Sequence, residues 1–454
     1  MSAKPRDEFN GKRITVMGLG RFGGQVAVVN FLVKAHAIVT VTDLACADAL
    51  TNSLWQIDTD AVTLHLGEHL DSDFIDADLI VVSPAVPKDS KYLKLAIDNG
   101  VPVSSEMNLF FRYCRAKIIG VTGTAGKSTT VAMVDAILNA QRETVRQRLG
   151  WSNVHVGGNI GHSLLECVFD ITPSDLVVLE LSSFQLDDLA EIHQSPHIAL
   201  VTNLFANHLD RHKTFEAYRN AKANIARFQS SNDVLILNAD DASSAFFAQL
   251  SPQGVAVWRY GAASTDPDVQ VCIDADRVVA NLPERNKTIV AADELTVPGR
   301  HNLRNAAAAS AIALAIGLTE HEIADGLKRF RSLPHRLELV SDAAGVKWFN
   351  DSKSTTPESG IVALNAFQGQ ALIAIVGGYD KALDLSTFTG ALATRATLTI
   401  CIGQTGSAMA KAIAAENGKT LEAESLDNAV QMASHHAKAG AVVLLSPGLS
   451  LIHI

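Results

Sequence analysis

The chain has 454 residues, a formal net charge of −10 at pH 7 and a hydrophobic fraction of 47%. This length exceeds what one compact core holds, so two or three domains are expected. The acidic balance argues against a non-specific nucleic-acid-binding protein. The five cysteines are scattered and form no CxxC pair, which indicates neither a disulfide framework nor a zinc site.

The N-terminal segment, MSAKPRDEFNGKR, is polar and lacks the apolar centre of a secretory signal peptide. No uncharged apolar run is long enough to span a bilayer. The scattered cysteines suit a reducing compartment. We therefore expect a cytoplasmic protein that does not insert into a membrane.

The first elements are a predicted strand, a tight glycine turn and a helix. Gly18, Gly20 and Gly23 fit the pattern G-x-G-x-x-G, and the next predicted strand ends at Asp43. This is the dinucleotide-binding fingerprint, in which the acidic residue binds ribose hydroxyls. The glycines have three interpretations: a nicotinamide cofactor, another pyrophosphate ligand, or only close packing of strand and helix.

A further strand is predicted from Asp78 to Pro87, and it runs into a Ser-Pro turn at Ser83. In an open parallel sheet such strand ends face the ligand crevice, although a plain turn explains the pattern equally well. The helical segment from Glu106 to Arg115 is then expected to link the first domain to the second.

The stretch IIGVTGTAGKSTT, residues 118–130, is an apolar strand followed by a glycine-rich loop and a helical pattern. Such a loop directs backbone N–H groups at a phosphate, and the helix N-terminus adds its dipole. Lys127 would reach the β- and γ-phosphates, and the Ser128 hydroxyl is placed to bind Mg²⁺. Because Val121 stands where Walker A has its first glycine, the loop is a shortened variant. The alternative is a flexible turn that contains a lysine.

Glu180 lies within the apolar strand that starts near Asp175. An isolated buried charge is costly, so this carboxylate must bind a metal or form a buried ion pair. Two interpretations therefore stay open for Glu180: a Mg²⁺ ligand beside the phosphate loop, or a structural ion pair.

His208 and His212 are four residues apart, a spacing that superficially resembles a zinc pair. The HExxH glutamate is absent and no third ligand is obvious, which argues against a zinc hydrolase. His208 alone could serve a second cation. Lys222 lies on the next predicted helix, and taken alone it is most simply a solvated surface lysine.

The rest of the chain continues the alternation of strands and helices. An Ala-rich helix is predicted from His301 to Leu318 with a stop at Gly317, and Pro334 marks a boundary. We predict an α/β protein of three domains: a Rossmann-like N-terminal domain (1–112), a central P-loop-type ATPase domain with a parallel sheet (113–332) and a doubly wound C-terminal α/β domain (333–454).

Taken together, these motifs resemble the Mur ligases, the ATP-dependent amino-acid ligases of peptidoglycan synthesis. The resemblance covers almost the whole chain and rests on motifs in a fixed order: GTAGKST, GGNIG, ELSSFQL, NHLDRH, HNLRNA, LPHRLE, NDSKSTT and GGYDK. SSFQL with DSK-x-T is most similar to the branch that adds D-glutamate to UDP-N-acetylmuramoyl-L-alanine. This chain has Ala125 where the family usually has Asn, and Ala85 where it has Gly. The match ends after about Gly448, which suggests a truncated or foreign terminus.

The resemblance implies functional residues for each ligand. The UDP end of the substrate, rather than NAD, would be bound by Gly18, Gly20, Asp43 and Ser83, and other parts of the substrate by Asn159 and Ser182. ATP would be bound by Gly123, Thr124, Gly126, Lys127, Ser128, Thr129, Asn305, Arg336, Asp351 and Lys353. D-Glutamate would meet Thr355, Lys381 and Ser446. Two Mg²⁺ sites would use Ser128, Glu180, His208 and Lys222, with Lys222 carbamoylated.

The implied reaction activates the substrate carboxylate as an acyl phosphate, which the D-glutamate amine then attacks. Lys127, His208, Lys222 and Lys353 would be the catalytic residues, and a monomer is expected. Three alternatives stay open: another Mur-type or folylpolyglutamate-type ligase, a nicotinamide-dependent oxidoreductase, and a non-catalytic nucleotide-binding protein.

Overall fold

The computed structural model of the chain describes residues 5–21, 25–160, 163–262, 268–281, 286–380 and 383–451. The chain forms two compact units. One comprises Met1–Val131, Gln141–Arg259 and Ala315–Gly317, and the other comprises Ala132–Ala140, Tyr260–Leu314 and Leu318–Ile454. Strands and helices alternate throughout, which confirms the predicted α/β class.

The first sheet is parallel, with strand order β3-β2-β1-β4-β5. Its strands are β1 (Arg13–Met17), β2 (Ile38–Asp43), β3 (Val62–Leu66), β4 (Leu79–Val82) and β5 (Val103–Ser105). The helices of this part are α1 (Pro5–Phe9), α2 (Val26–Lys34), α3 (Ala47–Leu54), α4 (Ser72–Ile75), α5 (Lys91–Asp98) and α6 (Glu106–Tyr113). The topology is Rossmann-like, so the residues that follow β1, β2, β3 and β4 meet at the carboxyl edge, where ligands bind in such sheets.

Five strands of the central sheet lie in the order β10-β9-β6-β8-β7, and these five are parallel. They are β6 (Lys117–Thr122), β7 (Val154–Gly158), β8 (Leu176–Glu180), β9 (Ile198–Val201) and β10 (Val234–Asn238). The associated helices are α7 (Lys127–Asn139), α8 (Glu143–Leu149), α9 (Ser183–Leu189), α10 (Leu209–His212), α11 (Phe215–Arg227) and α12 (Ser244–Leu250). Every residue of β8 is buried, as expected for a strand covered on both faces.

An antiparallel segment follows β11 (Ala256–Ala262). It consists of β12 (Val269–Asp274), β13 (Arg277–Asn281) and β14 (Asn286–Ala291), with β12 paired to β13 and β13 to β14. Next come α13 (Arg300–Ile316) and α14 (Glu320–Arg329). Gly317 follows α13 with φ at +103°, so the predicted helix stop is confirmed.

The third sheet has the order β15-β16-β20-β17-β18-β19. Its strands are β15 (Glu338–Ala343), β16 (Val346–Asn350), β17 (Leu372–Gly377), β18 (Leu398–Ile402), β19 (Thr420–Glu422) and β20 (Val442–Leu445). Its helices are α15 (Pro357–Asn365), α16 (Ser386–Arg395), α17 (Gly406–Ala415) and α18 (Leu426–His436). All pairings are parallel except that of β15 with β16, an antiparallel edge hairpin that the sequence pattern did not predict.

Alternation along β17 explains how the third sheet is covered on both faces. Leu372, Ala374 and Val376 belong to one buried apolar cluster, whereas Ile373 and Ile375 belong to another. Because successive side chains of a strand point to opposite faces, each face of β17 has its own core. Within the described residues, no helix is both long and apolar enough to cross a bilayer.

Candidate active site

The phosphate loop connects the end of β6 to the start of α7, as the sequence predicts. Gly123 has φ at +143°, and a Cβ on it would lie 1.9 Å from Oγ1 of Thr202. Gly126 has φ at +86°. Only glycine satisfies both the backbone conformation and the close approach at position 123.

Asn203, which follows β9, holds the backbone of the loop. Its Oδ1 accepts a hydrogen bond from the backbone N–H of Ala125 at 2.9 Å, and its Nδ2 donates to the Ala125 carbonyl at 3.0 Å. Oγ1 of Thr202 donates to the same carbonyl at 2.7 Å. The loop is therefore fixed although residue 125 lacks a polar side chain. The sequence reading missed Asn203, but its place at the end of the strand beside β6 is a signal that could have found it.

Lys127 is the first residue of α7, and its side chain turns back over the loop. Nζ donates to the carbonyl oxygens of Gly123 and Thr124, each at 3.0 Å. Oγ1 of Thr124 contacts the Tyr218 hydroxyl at 3.1 Å. The lysine charge thus sits at the helix N-terminus, where an anionic ligand is favoured.

Ser128 and Glu180 are in direct contact. The Ser128 hydroxyl donates to Oε2 of Glu180 at 2.6 Å, and Nδ2 of Asn159 donates to Oε1 at 2.9 Å. The Glu180 residue is 2% exposed. Both carboxylate oxygens therefore accept hydrogen bonds from neutral donors, and the structure brings together three residues that the family resemblance had assigned to ligands. Thr129 follows in the first turn of α7.

Gly158, at the end of β7, allows this arrangement. Its φ is +95°, and a Cβ there would lie 2.2 Å from the carbonyl oxygen of Glu180. The next residue, Asn159, donates its backbone N–H to that same carbonyl at 2.8 Å. The ends of β7 and β8 are therefore in backbone contact at the point where the site is built.

Lys222 on α11 is 2% exposed, so it is not the surface lysine that its sequence context suggests. Its Nζ donates to Oγ1 of Thr122 at 3.1 Å and lies 5.0 Å from the centre of the Tyr218 ring. Burial lowers the pKa of Lys222 well below its usual range, and the Lys127 cation lowers it further, while Glu180 acts in the opposite direction. Such an environment favours a neutral amine.

His208 precedes α10 with a left-handed backbone conformation, φ 52°. Its pKa is lowered by desolvation and by the Lys222, Lys127 and Arg211 cations, against the opposing effect of Asp210. His212 is occupied elsewhere, because its Nε2 lies 2.9 Å from the Ser183 hydroxyl. Both imidazole rings lie against Phe184 and Tyr218.

The donors at this site suit a hard divalent cation. Carboxylate and hydroxyl oxygens are the ligands that Mg²⁺ prefers. Within the part of the chain that the structure describes, no three His, Cys, Asp or Glu side chains cluster as a metal site.

A cavity of about 410 Å³ lies at the carboxyl edge of the first sheet. Its lining includes the predicted residues Gly18, Gly20, Asp43 and Ser83. Oδ2 of Asp43 accepts a hydrogen bond from the backbone N–H of Gly20 at 3.1 Å, so the acid also shapes the glycine turn. Gly23 of the fingerprint lies outside the described residues.

A second cavity, of about 450 Å³, shares Ser83 with the first and continues toward α9 and α10. Phe184 and Arg211 line it. Nη2 of Arg211 donates to the carbonyl oxygen of Pro84 at 3.1 Å. Ser182 caps α9 by accepting a hydrogen bond from the Gln185 backbone at 3.2 Å, so its hydroxyl has a structural role at the start of that helix.

Comparison with known proteins places the chain in a family. Models described as the Mur ligase MurD-like N-terminal domain, the Mur ligase middle domain and the Mur ligase glutamate ligase domain match residues 12–105, 121–313 and 335–449. The UDP-N-acetylmuramoylalanine–D-glutamate ligase of Pelotomaculum thermopropionicum is 34% identical, across 97% of this chain and 93% of the relative. The corresponding ligase of Roseiflexus sp. is 37% identical, across 96% of this chain and 94% of that relative. The chain belongs to the Mur ligase family.

Solved structures show the same fold. MurC from Thermotoga maritima aligns with a TM-score of 0.59 at 18% identity, and the match covers 96% of each chain. MurF from Acinetobacter baumannii aligns with a TM-score of 0.58 at 16% identity, across 98% of this chain and 90% of that chain. The predicted three-domain α/β fold is thereby confirmed. The predicted boundaries at 112/113 and 332/333 stay predictions.

In the second compact unit of this Mur ligase, Asp351 is 5% exposed and accepts hydrogen bonds from several donors. The Leu337 backbone N–H and the Ser446 hydroxyl each donate to it at 3.0 Å, and the Ser354 hydroxyl donates as well. Burial raises the pKa of Asp351, and these hydrogen bonds partly offset the rise. Two residues assigned to different ligands, Asp351 and Ser446, are thus bonded to each other.

The remaining predicted residues of this unit have varied surroundings. Asn305 is buried, and its Nδ2 donates to Asn302 at 3.3 Å. Arg336 and Lys353 are exposed, and Thr355 is half-buried. Lys381 lies outside the described residues.

Proposed function

We propose that this Mur ligase adds D-glutamate to UDP-N-acetylmuramoyl-L-alanine with hydrolysis of ATP to ADP and phosphate. The observation that carries the proposal is the 34–37% identity to named D-glutamate ligases across 96–97% of the chain. The phosphate loop and the buried Glu180 support it from the structure. No comparison favours an oxidoreductase or a ligase for a different amino acid.

ATP would bind with its phosphates on the loop of Gly123, Thr124 and Gly126, ahead of Lys127. The loop is held in place by Asn203 before any ligand arrives. Lys127 would exchange its two carbonyl contacts for phosphate oxygens, which are stronger partners for an ammonium. Ser128 and Thr129 are proposed to bind ATP beside this loop. The other proposed ATP-binding residues are Asn305, Arg336, Asp351 and Lys353.

Mg²⁺ is proposed to bind at Ser128 and Glu180, and a second ion at His208 and Lys222. Bound Mg²⁺ neutralises charge on the transferring phosphoryl group. The buried Glu180 fits this role because both its oxygens already accept hydrogen bonds, from Ser128 and Asn159, so the carboxylate is oriented.

Carbamoylation of Lys222 is proposed because the residue combines burial with a lowered pKa. A neutral amine attacks CO₂ and loses a proton, and the product is a carbamate whose single negative charge is shared by two oxygens. This change places an anion near the Lys127 cation and supplies an oxygen ligand. Mass spectrometry of the intact protein in bicarbonate buffer would detect the added mass.

The UDP portion of the substrate is proposed to occupy the first cavity, against Gly18, Gly20, Asp43 and Ser83. The second cavity shares Ser83, Val86 and Pro87 with the first and is proposed to hold the sugar and peptide portion, with Asn159 and Ser182 as further substrate-binding residues. Thr355, Lys381 and Ser446 are proposed to bind D-glutamate. The assignment of 1–112, 113–332 and 333–454 to the UDP-substrate, ATP and amino-acid domains is part of the same proposal.

The reaction proceeds in two steps. A carboxylate oxygen of the substrate attacks the γ-phosphorus of ATP, the bond to ADP breaks, and an acyl phosphate forms. The D-glutamate nitrogen then attacks the acyl carbon, loses a proton and expels phosphate, which leaves the amide. Lys127 would offset charge in the first step, with Lys353 proposed as a second catalytic lysine, because both steps concentrate negative charge on phosphate oxygens.

The test is phosphate release from ATP and Mg²⁺ in the presence of UDP-N-acetylmuramoyl-L-alanine. Release that needs both this substrate and D-glutamate would support the proposal. Parallel reactions contain L-glutamate, other amino acids, or no amino acid. Release that depends on a different amino acid or acceptor would replace the proposal with that ligase. The proposed monomeric state is tested separately by light scattering of the purified full chain.

A further inference from the structure

His69 lines the first cavity, although no sequence motif drew attention to it. It follows β3 and therefore stands at the carboxyl edge of the first sheet, on the same edge as Asp43 and Ser83. The residue is only 9% exposed. A buried polar side chain on the wall of a ligand cavity needs a partner, so its surroundings indicate what the cavity binds.

The ring of His69 is held rigidly. Its Nδ1 lies 2.7 Å from Oγ1 of Thr42, which is itself fully buried. The ring packs edge-on against Phe74 and Tyr92, with centroids at 5.6 and 4.9 Å, and those two rings stack on each other. The orientation of the imidazole is therefore set before a ligand binds.

The contact with Thr42 allows two arrangements. Either the Thr42 hydroxyl donates to Nδ1 of His69, or Nδ1–H donates to the hydroxyl, which also lies 3.5 Å from the carbonyl oxygen of Glu68. The shorter contact, at 2.7 Å, favours the first arrangement, in which the ring proton is on Nε2. Burial lowers the pKa of His69, and Lys91 lowers it as well, against the opposing effects of Asp43 and Asp73. The ring is accordingly neutral at pH 7, with Nε2 a single donor.

Nε2 has no hydrogen-bond partner among the residues that the structure describes. Leu44, beside Asp43, lines the same cavity and is 65% exposed, an unusual fraction for leucine. An exposed apolar side chain next to the ribose-binding acid is suited to the face of a base. A phosphate would instead be repelled by Asp43, and its place is at the amides of the glycine turn.

We infer that His69 reads the nucleobase, with Nε2–H donating to the C4 carbonyl oxygen of uracil while the base packs on Leu44. This inference rests on the proposed function, which makes a uridine nucleotide the ligand of the cavity. Cytosine carries an amino group at C4, so its N–H would face the N–H of His69. The pocket thus selects uridine over cytidine nucleotides, and Thr42 is a positioning residue that fixes the tautomer.

The test is the affinity of the full chain for UDP and CDP by isothermal titration calorimetry, with Mg²⁺ present and no turnover required. The wild type is expected to bind UDP at least about tenfold more tightly than CDP, the value of one well-placed hydrogen bond. His69→Phe keeps a ring but loses the donor, so it should bind the two nucleotides equally. His69→Gln restores a donor and should recover part of the preference.

Thr42→Val removes the hydroxyl while keeping the shape of the side chain. It should reduce the preference for UDP, and ¹⁵N spectra of labelled histidine should show the proton of His69 distributed over both nitrogens. His321→Gln, in the second unit, is the matched control and should leave the preference unchanged. ATP binding by each variant reports that it is folded.

The outcomes separate this inference from the proposed function. If the wild type binds UDP and CDP equally, or if His69→Phe keeps the wild-type preference for UDP, the base-reading role is wrong even if D-glutamate is still ligated. Should His69→Phe fail to fold, His69→Gln takes its place, and a preference that is unchanged from wild type would contradict the role. If the wild type binds neither nucleotide, both the inference and the UDP-substrate assignment are overturned. If turnover fails but the UDP preference behaves as expected, only the reaction is wrong.

Discussion

The hydroxyl of Ser128 donates to Oε2 of Glu180 across 2.6 Å, although the two residues are 52 positions apart in the chain. The contact joins the first turn of α7 to the last residue of β8. Because β6 and β8 are adjacent and parallel, the strand end that carries the acid and the strand end that carries the loop open onto one edge. The nucleotide loop and the acidic residue are thus fixed by the same sheet.

Glu180→Gln should lower kcat about 100-fold or more, because the amide keeps the shape but lacks the charge that a divalent cation requires. The measurement is phosphate release across a Mg²⁺ titration. Glu143→Gln, on the exposed face of α8, is the matched control and should behave as wild type. A Glu180→Gln enzyme with normal Mg²⁺ dependence would remove Glu180 from the metal site.

Lys222→Ala should abolish turnover, because it deletes the side chain proposed to become a carbamate. Short-chain carboxylates such as acetate should restore part of the activity by supplying an oxygen ligand in the space left behind. Lys94→Ala, at an exposed position of α5, serves as the control and should need no rescue. Full activity without carboxylate would refute the proposed role of Lys222.

Lys127→Ala should reduce turnover about 1,000-fold, since one positioned charge on a transferring phosphoryl group contributes on that scale. Steady-state phosphate release gives kcat and KM, and nucleotide titration gives the affinity for ATP. Activity comparable to wild type would contradict the assignment of the phosphate loop.

Gly158→Ala should destabilise the central sheet by about 2–4 kcal/mol, because it combines a left-handed backbone with a Cβ placed against the Glu180 carbonyl. Gly100→Ala is the matched comparison: φ is +75° there, and nothing lies within 4 Å of an added Cβ. Only the conformational penalty of about 1 kcal/mol should remain at position 100. Urea midpoints of both variants measure the difference, and equal midpoints would contradict the close approach.

The free energy of unfolding should fall as the pH drops from about 6.5 toward 4, because His301 is protonated more readily in the unfolded chain. Burial, followed by the Arg304 cation, lowers the pKa of His301 to about 4 in the folded chain. The unfolded chain, with a histidine pKa of about 6.5, binds more protons in this window, so protonation favours unfolding. The loss is at most about 3 kcal/mol and is reduced by the partial exposure of the ring.

His301→Gln should flatten this dependence when urea midpoints at pH 7.5 and pH 5 are compared. His321→Gln changes an exposed histidine, 87% accessible, and should leave the slope as in wild type. An unchanged slope in His301→Gln would assign the acid sensitivity to other groups.

The strand, loop and helix around Lys127 were predictable because glycine spacing and apolar periodicity are local properties of the sequence. The burial of Glu180 was predictable for the same reason, since an acid in an apolar strand has few alternatives. Lys222 was different: its helix looks amphipathic and solvated, and only packing against Tyr218 and the sheet reveals the burial. The sequence around His69 contains no motif that indicates a binding residue, because the proposed role of His69 depends on which strands lie side by side.

The pairing of Asp351 with Ser446 shows a further limit of sequence reasoning. Each residue was assigned a ligand from its motif, yet in the structure the buried acid accepts hydrogen bonds from hydroxyl groups that follow β20 and β16. The antiparallel hairpin of β15 and β16 was also missed, because edge strands carry weak apolar alternation.

The contacts of Asn203 determine which positions of the nucleotide loop are free to vary during evolution. Asn203 and Thr202 hold only the main-chain N–H and C=O of residue 125, atoms that every non-proline amino acid provides. An alanine at position 125 is therefore compatible with this framework. Gly123 has no such freedom, because any side chain there meets Thr202. Two neighbouring loop positions of the same chain thus differ sharply in their mutational tolerance.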